Sequence, residues 1–339
     1  MKGPRRRILP LFIPHLGCPH DCVFCDQRRI SGQQSPVTPA DVTAALEAFT
    51  SAATALEPAD EIAFYGGSFT ALPLDEQRAL LEAAVKPFLA RGLSRGIRVS
   101  TRPDAVNTEV LSLLQRYHVT TVELGAQSMD DGVLRRCGRG HTAADTERAC
   151  ALLRDGGFRF VLQMMTGLPG SSDALDVMTG ERLAALKPDG VRIYPTVILR
   201  FTPLYDLWRR GEYREHTVED AVRVCARLLP LFAAAGIPVI RLGLNPSEEL
   251  SGGEAAGGAY HPALGELVKS RVYLERARSL LRPAPPRPGA DVTLGVYKQN
   301  LSQLTGQRRR NLDALRGEFG LGKVRVEAAD VPPGTVVLL

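Results

Sequence analysis

From Ile8 to Leu242, short runs of β-branched and apolar residues alternate with longer segments whose apolar positions return every three or four residues. The runs predict strands at Ile8–Ile13, Glu61–Tyr65, Ile97–Thr101, Thr120–Leu124, Phe158–Met165 and Val191–Tyr194, with Val239–Leu242 as a candidate seventh. In Leu74–Leu89 the residues Leu80, Leu81, Ala84, Val85 and Phe88 fall on one helical stripe. Strands alternating with helices imply a parallel sheet, either doubly wound or curved into a barrel. Six or seven units in series favour the barrel. The expected fold class is therefore α/β, a partial (β/α)6-type parallel barrel with a small C-terminal α+β domain. In such folds functional groups gather at the carboxyl ends of the strands, so the residues just after each strand are the candidates.

Beyond Leu242 the pattern changes. Leu244–Gly258 is rich in Gly, Ala, Ser and Glu and reads as a loop suited to cover the site. A helix over His261–Leu281 follows, then the Pro-rich segment from Arg282 to Gly289. The tail from Asp291 reads as strand Val292–Val296, a helix near Gln299–Leu304, a basic turn, a second helix and strand Lys323–Val326. This divides the chain into 1–245, 246–289 and 290–339.

The 339 residues contain no apolar run of about 18, so no membrane span is expected. Pro10 and Pro14 interrupt the apolar segment after the basic start, which argues against a secretory signal and for the cytoplasm. A net charge of +5 permits a polyanionic partner without demanding one.

Cys18, Cys22 and Cys25 form a C-x3-C-x2-C run just after the first strand. In a reducing compartment, three thiols this close suit a soft metal. A four-iron cluster takes four protein ligands when closed, so three thiolates would leave one iron open. The alternatives are a zinc with His15 or His20 as fourth ligand, or plain burial of small thiols, which the polar neighbours Pro19, His20, Asp21 and Asp26 disfavour. Cys137, Cys150 and Cys225 lie in helical patterns and read as buried thiols.

Unusual residues stand at the later strand ends as well. Gly66 and Gly67, followed by Ser68, allow a close backbone approach, to a ligand or within a tight turn. Thr101 and Arg102 precede Pro103-Asp104, which also suits a helix start. Glu123 and Gln127 flank Gly125, and a buried Glu is costly unless paired; solvation at the surface is the other reading. Arg139 and His141 follow, the latter equally placed as a helix N-terminal residue. Gln163 is polar within an apolar strand, as a core amide or a ligand contact. Tyr194 ends the sixth strand, and Arg200, Thr202 and Tyr205 lie where a substrate would approach.

The cysteine loop, with Phe24 before its last cysteine, resembles the signature of the radical S-adenosylmethionine (SAM) enzymes. The resemblance implies a [4Fe-4S] cluster on Cys18, Cys22 and Cys25, with S-adenosyl-L-methionine chelating the open iron and cleaved to a 5'-deoxyadenosyl radical. It also implies that Gly66, Gly67 and Ser68 meet the methionine amine, that Gln127 and Arg139 hold ribose or carboxylate, and that Tyr194 lies against the adenine. Thr101, Arg102, Glu123 and Gln163 join the cofactor-binding set. The Thr-Arg-Pro-Asp string is similar to one in the catalytic subunit of Elongator, a tRNA-modifying enzyme. The strings around Gln127 and Arg139 are similar to ones shared by that subunit and the oxygen-independent coproporphyrinogen oxidases. Only the radical SAM half of the Elongator subunit is matched, so its acetyl-coenzyme A chemistry is not carried over. An electron donor such as flavodoxin or ferredoxin is implied.

The turn Gly306-Gln307-Arg308-Arg309-Arg310-Asn311 resembles the backbone-clamping loop of the KH RNA-binding module, with Arg309 where the second glycine would stand. A solvated basic helix start is the alternative. The expected function is radical chemistry on tRNA or another RNA, with Arg308, Arg309 and Arg310 as the RNA contact. Porphyrinogen or other small-molecule chemistry, and a haem carrier that keeps the cluster, are the alternatives.

Overall fold

The computed structural model describes residues 8–19, 21–26, 35, 37–52, 61–90, 96–244 and 253–339. The first seven residues, His20 and residues 245–252 lie outside that set, as do the parts of the expected metal and lid readings that fall on them. Strands β1 (Ile8–Phe12), β2 (Glu61–Tyr65), β3 (Ile97–Thr101), β4 (Val119–Gln127), β5 (Arg159–Thr166) and β6 (Gly190–Pro195) are joined in that order into one parallel sheet. After β7 (Val197–Leu199), which leaves the sheet, β8 (Val239–Leu242) closes it as the seventh strand.

Alternation along each strand gives the sheet two unlike faces. Ile62, Phe64, Ile97, Val99, Val122, Leu124, Leu162, Val191 and Ile193 enter one core cluster with Leu81, Leu114, Leu153, Leu183 and Phe232 of the covering helices. Each such side chain contributes about 1.5–3 kcal/mol by leaving water, so this layer holds the half-barrel together. The opposite face carries Glu61, Tyr65, Arg98, Glu123, Gln163, Arg192, Tyr194 and Arg241, and the register sets Gln163, Arg192 and Arg241 abreast. Helix starts are sharpened by capping boxes at Thr142–Asp145 and Thr217–Asp220, which satisfy end N–H groups otherwise left open.

The structure departs from the sequence reading in the loops. β4 runs on to Gln127 rather than ending at Leu124, with a register shift at Gly125 and a left-handed Gln127 (φ +62°). Within the stretch read as a covering loop, β9 (Ala255–Gly258) pairs antiparallel with β7. Ala and Gly have little strand propensity, but a side chain at Gly258 would stand 2.7 Å from the Thr196 carbonyl oxygen, so the small residue is what admits the pairing. In the tail β10 (Val292–Val296) lies between a parallel β11 (Val324–Ala328) and an antiparallel β12 (Val336–Leu338), a strand the pattern did not predict. The helix Leu264–Leu281 serves two cores: Leu264, Val268 and Val272 pack on the half-barrel, and Tyr273, Leu274, Ala277 and Leu281 on the tail. A cleft of about 640 Å³ between them is lined by Pro238 and Val239 at the amino end of β8, and by Asn300 and Gln303 of the tail. Among the described residues no helix is long and apolar enough to cross a membrane.

Candidate active site

The loop after β1 is fixed mainly by backbone contacts. His15 N–H donates to the Gly66 carbonyl at 3.0 Å and Ser68 N–H to the Leu16 carbonyl at 2.8 Å. A Cβ on Gly67 would fall 2.4 Å from the Ile13 oxygen and 2.6 Å from the Leu16 oxygen, and one on Gly17 would fall 2.2 Å from the Ser68 oxygen. The close approach that the glycine pair allows is thus to the cysteine loop itself. On the other side, Val23 N–H donates to the Cys137 carbonyl at 3.1 Å, and Leu204 N–H to the Val23 carbonyl at 2.8 Å. All six cysteines are free thiols, with Cys22 buried and Cys18 and Cys25 half-buried. The Cys18 sulfur lies 3.4 Å from Ser68 Oγ. Among the described residues no three His, Cys, Asp or Glu side chains converge on one ion position; a cluster, in which each thiolate takes its own iron, needs no such convergence.

Arg139 reaches this loop from the turn after the helix Asp131–Arg136. Its Nη1 donates to the Cys22 sulfur at 3.4 Å, its Nη2 to the Gly125 carbonyl at 2.7 Å, and its buried Nε has no partner. Arg102 is 1% exposed and holds that turn in place: its Nε and Nη2 grip the Asp104 carboxylate, both at 2.9 Å, and Nη2 also donates to the Arg139 carbonyl at 2.7 Å. Thr101 is similarly internal, its hydroxyl 2.6 Å from that of Thr70. Gln163 donates to Gln127 at 3.2 Å, so these two residues meet at the end of β4. Cysteines, glycines, Ser68, Gln127, Arg139 and Gln163 therefore form one rim, with Thr101 and Arg102 behind it.

Glu123 lies deeper, four residues before the end of β4, and is not on the rim. Its Oε1 accepts from Arg98 Nη1 at 2.6 Å, Arg192 Nη2 at 2.8 Å and the Tyr65 hydroxyl at 3.4 Å. Arg98 also binds Glu61 at 2.8 Å, and the Arg192 guanidinium stands 5.6 Å from the Tyr65 ring centre. Burial, with the Glu123 charge adding to it, raises the Tyr65 phenol well above its usual range. Burial opposes the charge on both arginines, but the carboxylates outweigh it and raise them. Sequence reading named Glu123 but missed Tyr65, Arg98 and Arg192. The signal was present in Ile97-Arg98-Val99 and Val191-Arg192-Ile193, where a charged residue interrupts a buried strand. Tyr194 joins this floor by accepting from Arg192 Nη1 at 3.3 Å, and packs against the small cluster of Val133, Cys137, Met165 and Leu168.

The remaining candidates are structural in part. Thr202 caps the helix Pro203–Arg209 and donates to the Leu199 carbonyl at 2.7 Å. Arg200 Nε donates to the Gly253 carbonyl at 2.9 Å. His141 is buried, with Nε2 on the Ala126 carbonyl at 3.2 Å and Nδ1 unpartnered. Burial, then the Arg139 charge, depresses its pKa to about 4. Cys137, Cys150 and Cys225 are buried, as expected.

The Radical SAM superfamily model matches residues 12–179, and the Radical_SAM C-terminal domain model matches residues 188–274. The tRNA uridine(34) acetyltransferase of Methanocaldococcus infernus is 34% identical over 152 residues, which is 44% of this chain and 28% of that protein. Human Elongator complex protein 3 is 35% identical over 191 residues, 50% of this chain and 35% of that protein. The chain thus matches about a third or less of these relatives' lengths. In solved structures, the archaeal Elp3 of M. infernus with an N-terminal deletion superposes with a TM-score of 0.62 at 23% identity, covering 80% of this chain and 63% of that one. Coproporphyrinogen III oxidase of Escherichia coli gives 0.50 at 17% identity, covering 69% and 54%. Both share the half-barrel fold. The chain belongs to the radical SAM superfamily and is an enzyme of that kind, with a [4Fe-4S] cluster and S-adenosylmethionine as its cofactors.

Proposed function

We propose that the protein is a radical SAM enzyme acting on RNA, of the tRNA-modifying kind, in the cytoplasm and with a flavodoxin- or ferredoxin-like electron donor. S-adenosylmethionine, when bound with the cluster, would supply the radical chemistry for hydrogen-atom abstraction. Cys18, Cys22 and Cys25 would hold the cluster. The donor set fits: three free thiols on a backbone-fixed loop, with the Arg139 guanidinium donating to the Cys22 sulfur. The buried Arg139 Nε is the kind of orphan donor that a bound carboxylate satisfies. Gln127 and Gln163 would turn their amides to the ribose, Gly66, Gly67 and Ser68 would present the strand end to the methionine amine, and Tyr194 would border the adenine. Thr101 and Arg102 act as positioning residues for this rim, and Glu123 orders the arginines of the floor.

The observation that carries the RNA reading is the basic turn of the tail. Arg308 and Arg309 are exposed and left-handed (φ +52° and +63°), and Arg310 opens the helix Arg310–Phe319, which has no side-chain cap. Open N–H groups and three guanidinium groups at one turn suit phosphates. The tail packs beside the amino end of β8, away from the cysteine rim at the carboxyl ends. A ligand touching both must be extended, which favours a folded RNA over a porphyrinogen. Replacing Arg308, Arg309 and Arg310 with Ala should weaken binding of bulk tRNA. The salt dependence should flatten by up to about three units of log-log slope, at roughly 0.7–0.9 per phosphate contact. Equal binding by variant and parent at moderate salt would return the turn to a solvated surface and favour a small substrate.

A further inference from the structure

The two faces of the sheet differ in solvent access as well as in polarity. Val99, Leu162, Val191 and Ile193 on the helix-covered face are fully buried, whereas Arg98, Gln163, Arg192, Tyr194 and Arg241 on the inner face all keep partial exposure. Water therefore reaches the inner face below the rim. Charge there does not balance. Among the described residues, Arg98, Arg192 and Arg241 share this face with two carboxylates, Glu61 and Glu123, and both of these are taken up by Arg98 and Arg192. Arg241 is left with a hydrogen bond from its Nε to the Gly243 carbonyl at 3.1 Å, and among the described residues it has no ion pair. The register makes Arg192 its neighbour on β6. Adjacent strands stand about 4.8 Å apart, so two guanidinium groups on them repel unless an anion joins them. Arg192 also keeps a buried Nε without a partner, a hydrogen bond that is costly to leave unmade.

We propose that Arg192 and Arg241 form an anion subsite on the inner face of the half-barrel, and that it takes the carboxylate of a small substrate. The surplus on this face is one positive charge, which suits a singly charged carboxylate; a phosphate monoester would bring a second negative charge toward Glu123. Planar guanidinium groups also match the carboxylate in shape, pairing with it through parallel hydrogen bonds. Gln163 lies abreast of Arg192 on β5 and bonds Gln127 at the rim. A substrate held here by its carboxylate therefore lies next to the cofactor contacts assigned to those two amides. The assignment goes beyond the RNA reading and does not depend on the tail.

Trifluoroacetate is a carboxylate probe that fluorine NMR detects at weak affinity. It should bind the cluster-loaded, unreduced protein in the millimolar range with S-adenosylmethionine at saturation. Arg241→Met should weaken it at least about tenfold, the loss of one charge-assisted hydrogen bond, while its melting temperature stays close to the parent's. Arg192→Lys keeps a charge facing Glu123 but not the planar fork, and should weaken the probe as well. The Arg308/Arg309/Arg310 variant should bind it like the parent. Unchanged affinity in both the Arg241 and Arg192 variants overturns the subsite. Loss of the probe once S-adenosylmethionine is added would put it at Arg139, and loss in the tail variant would put it on that exposed turn; either overturns the subsite too. Tighter binding of dimethyl phosphate than of trifluoroacetate would overturn the small carboxylate and put an RNA phosphodiester in its place.

Discussion

The Arg139 guanidinium touches the Cys22 sulfur at 3.4 Å and the Gly125 carbonyl at 2.7 Å, joining the cysteine loop to the end of the central strand β4. Its own backbone is held by Arg102 through the Arg139 carbonyl. This end of the rim is therefore built as a bracket, with one arginine facing the thiol and a second, internal one fixing it.

Arg139→Ala should weaken S-adenosylmethionine binding by about 1.5–3 kcal/mol, the range for a charge-assisted hydrogen bond. Arg139→Lys keeps the charge but loses the planar fork, and should fall between variant and parent. Anaerobic calorimetry checks both; unchanged affinity in the Ala variant would place the carboxylate elsewhere.

Cys22→Ala should prevent cluster assembly. Anaerobic reconstitution of the parent is expected to give about four irons and four sulfides per chain, and of the variant a small fraction of that. One equivalent of zinc in the parent, with no iron-sulfur absorption, would overturn the cluster assignment.

Gly67→Ala tests the backbone approach independently of any ligand. The added methyl meets two carbonyl oxygens at 2.4 and 2.6 Å, neither of which is a flexible side-chain end. Overpacking of this kind costs about 1–3 kcal/mol, so the urea midpoint should drop and cluster occupancy with it. A variant as stable as the parent would show that the loop yields easily.

Glu123→Ala should be the most damaging single change on the floor. It leaves the partly buried Arg192 without its carboxylate and Arg98 with Glu61 alone. Loss of one partner from a buried ion pair costs about 3–5 kcal/mol, readable by denaturant unfolding of the apoprotein. A cost below about 1 kcal/mol would mean that water takes over the role of the carboxylate.

His141 gives the fold an acid limit. Its pKa is about 4 when folded, against an ordinary value of 6.5. As pH falls below 6.5 the unfolded chain takes up a proton that the folded one refuses, so stability is lost from there down to about pH 4. At pH 5 this one group accounts for about 2 kcal/mol, at 1.36 kcal/mol per unit. His141→Gln should flatten the decline in melting temperature between pH 7 and 5. Parallel profiles for variant and parent would show that the imidazole is protonated without cost.

Much of this protein was legible in local pattern. A strand needs only its own alternation to be recognised, and six of the sheet strands, with the tentative seventh, stand within a few residues of where the sequence puts them. Cysteine spacing is equally local, since three thiols on one short loop reach one site whatever the rest of the chain does. Single-sequence pattern failed where an element exists only because a partner does. Ala255–Gly258 is too small-sided to read as a strand and becomes one against Val197–Leu199, and Val336–Leu338 is three residues long.

The sequence by itself determined the half-barrel, the cysteine loop and the rim residues that follow the strands, because period-two alternation and short-range spacing are properties of neighbouring residues. Tertiary structure alone decided which of these groups meet. Arg139 and Cys22 are 117 residues apart, and Glu123 gathers arginines from two other strands. Strand register sets such meetings, and a slip of one residue would send each side chain to the opposite face. It also decided that Arg102, read as a cofactor contact, is turned inward onto Asp104. A buried guanidinium needs its hydrogen bonds met by whatever the fold brings within reach, and that is a property of the packed chain.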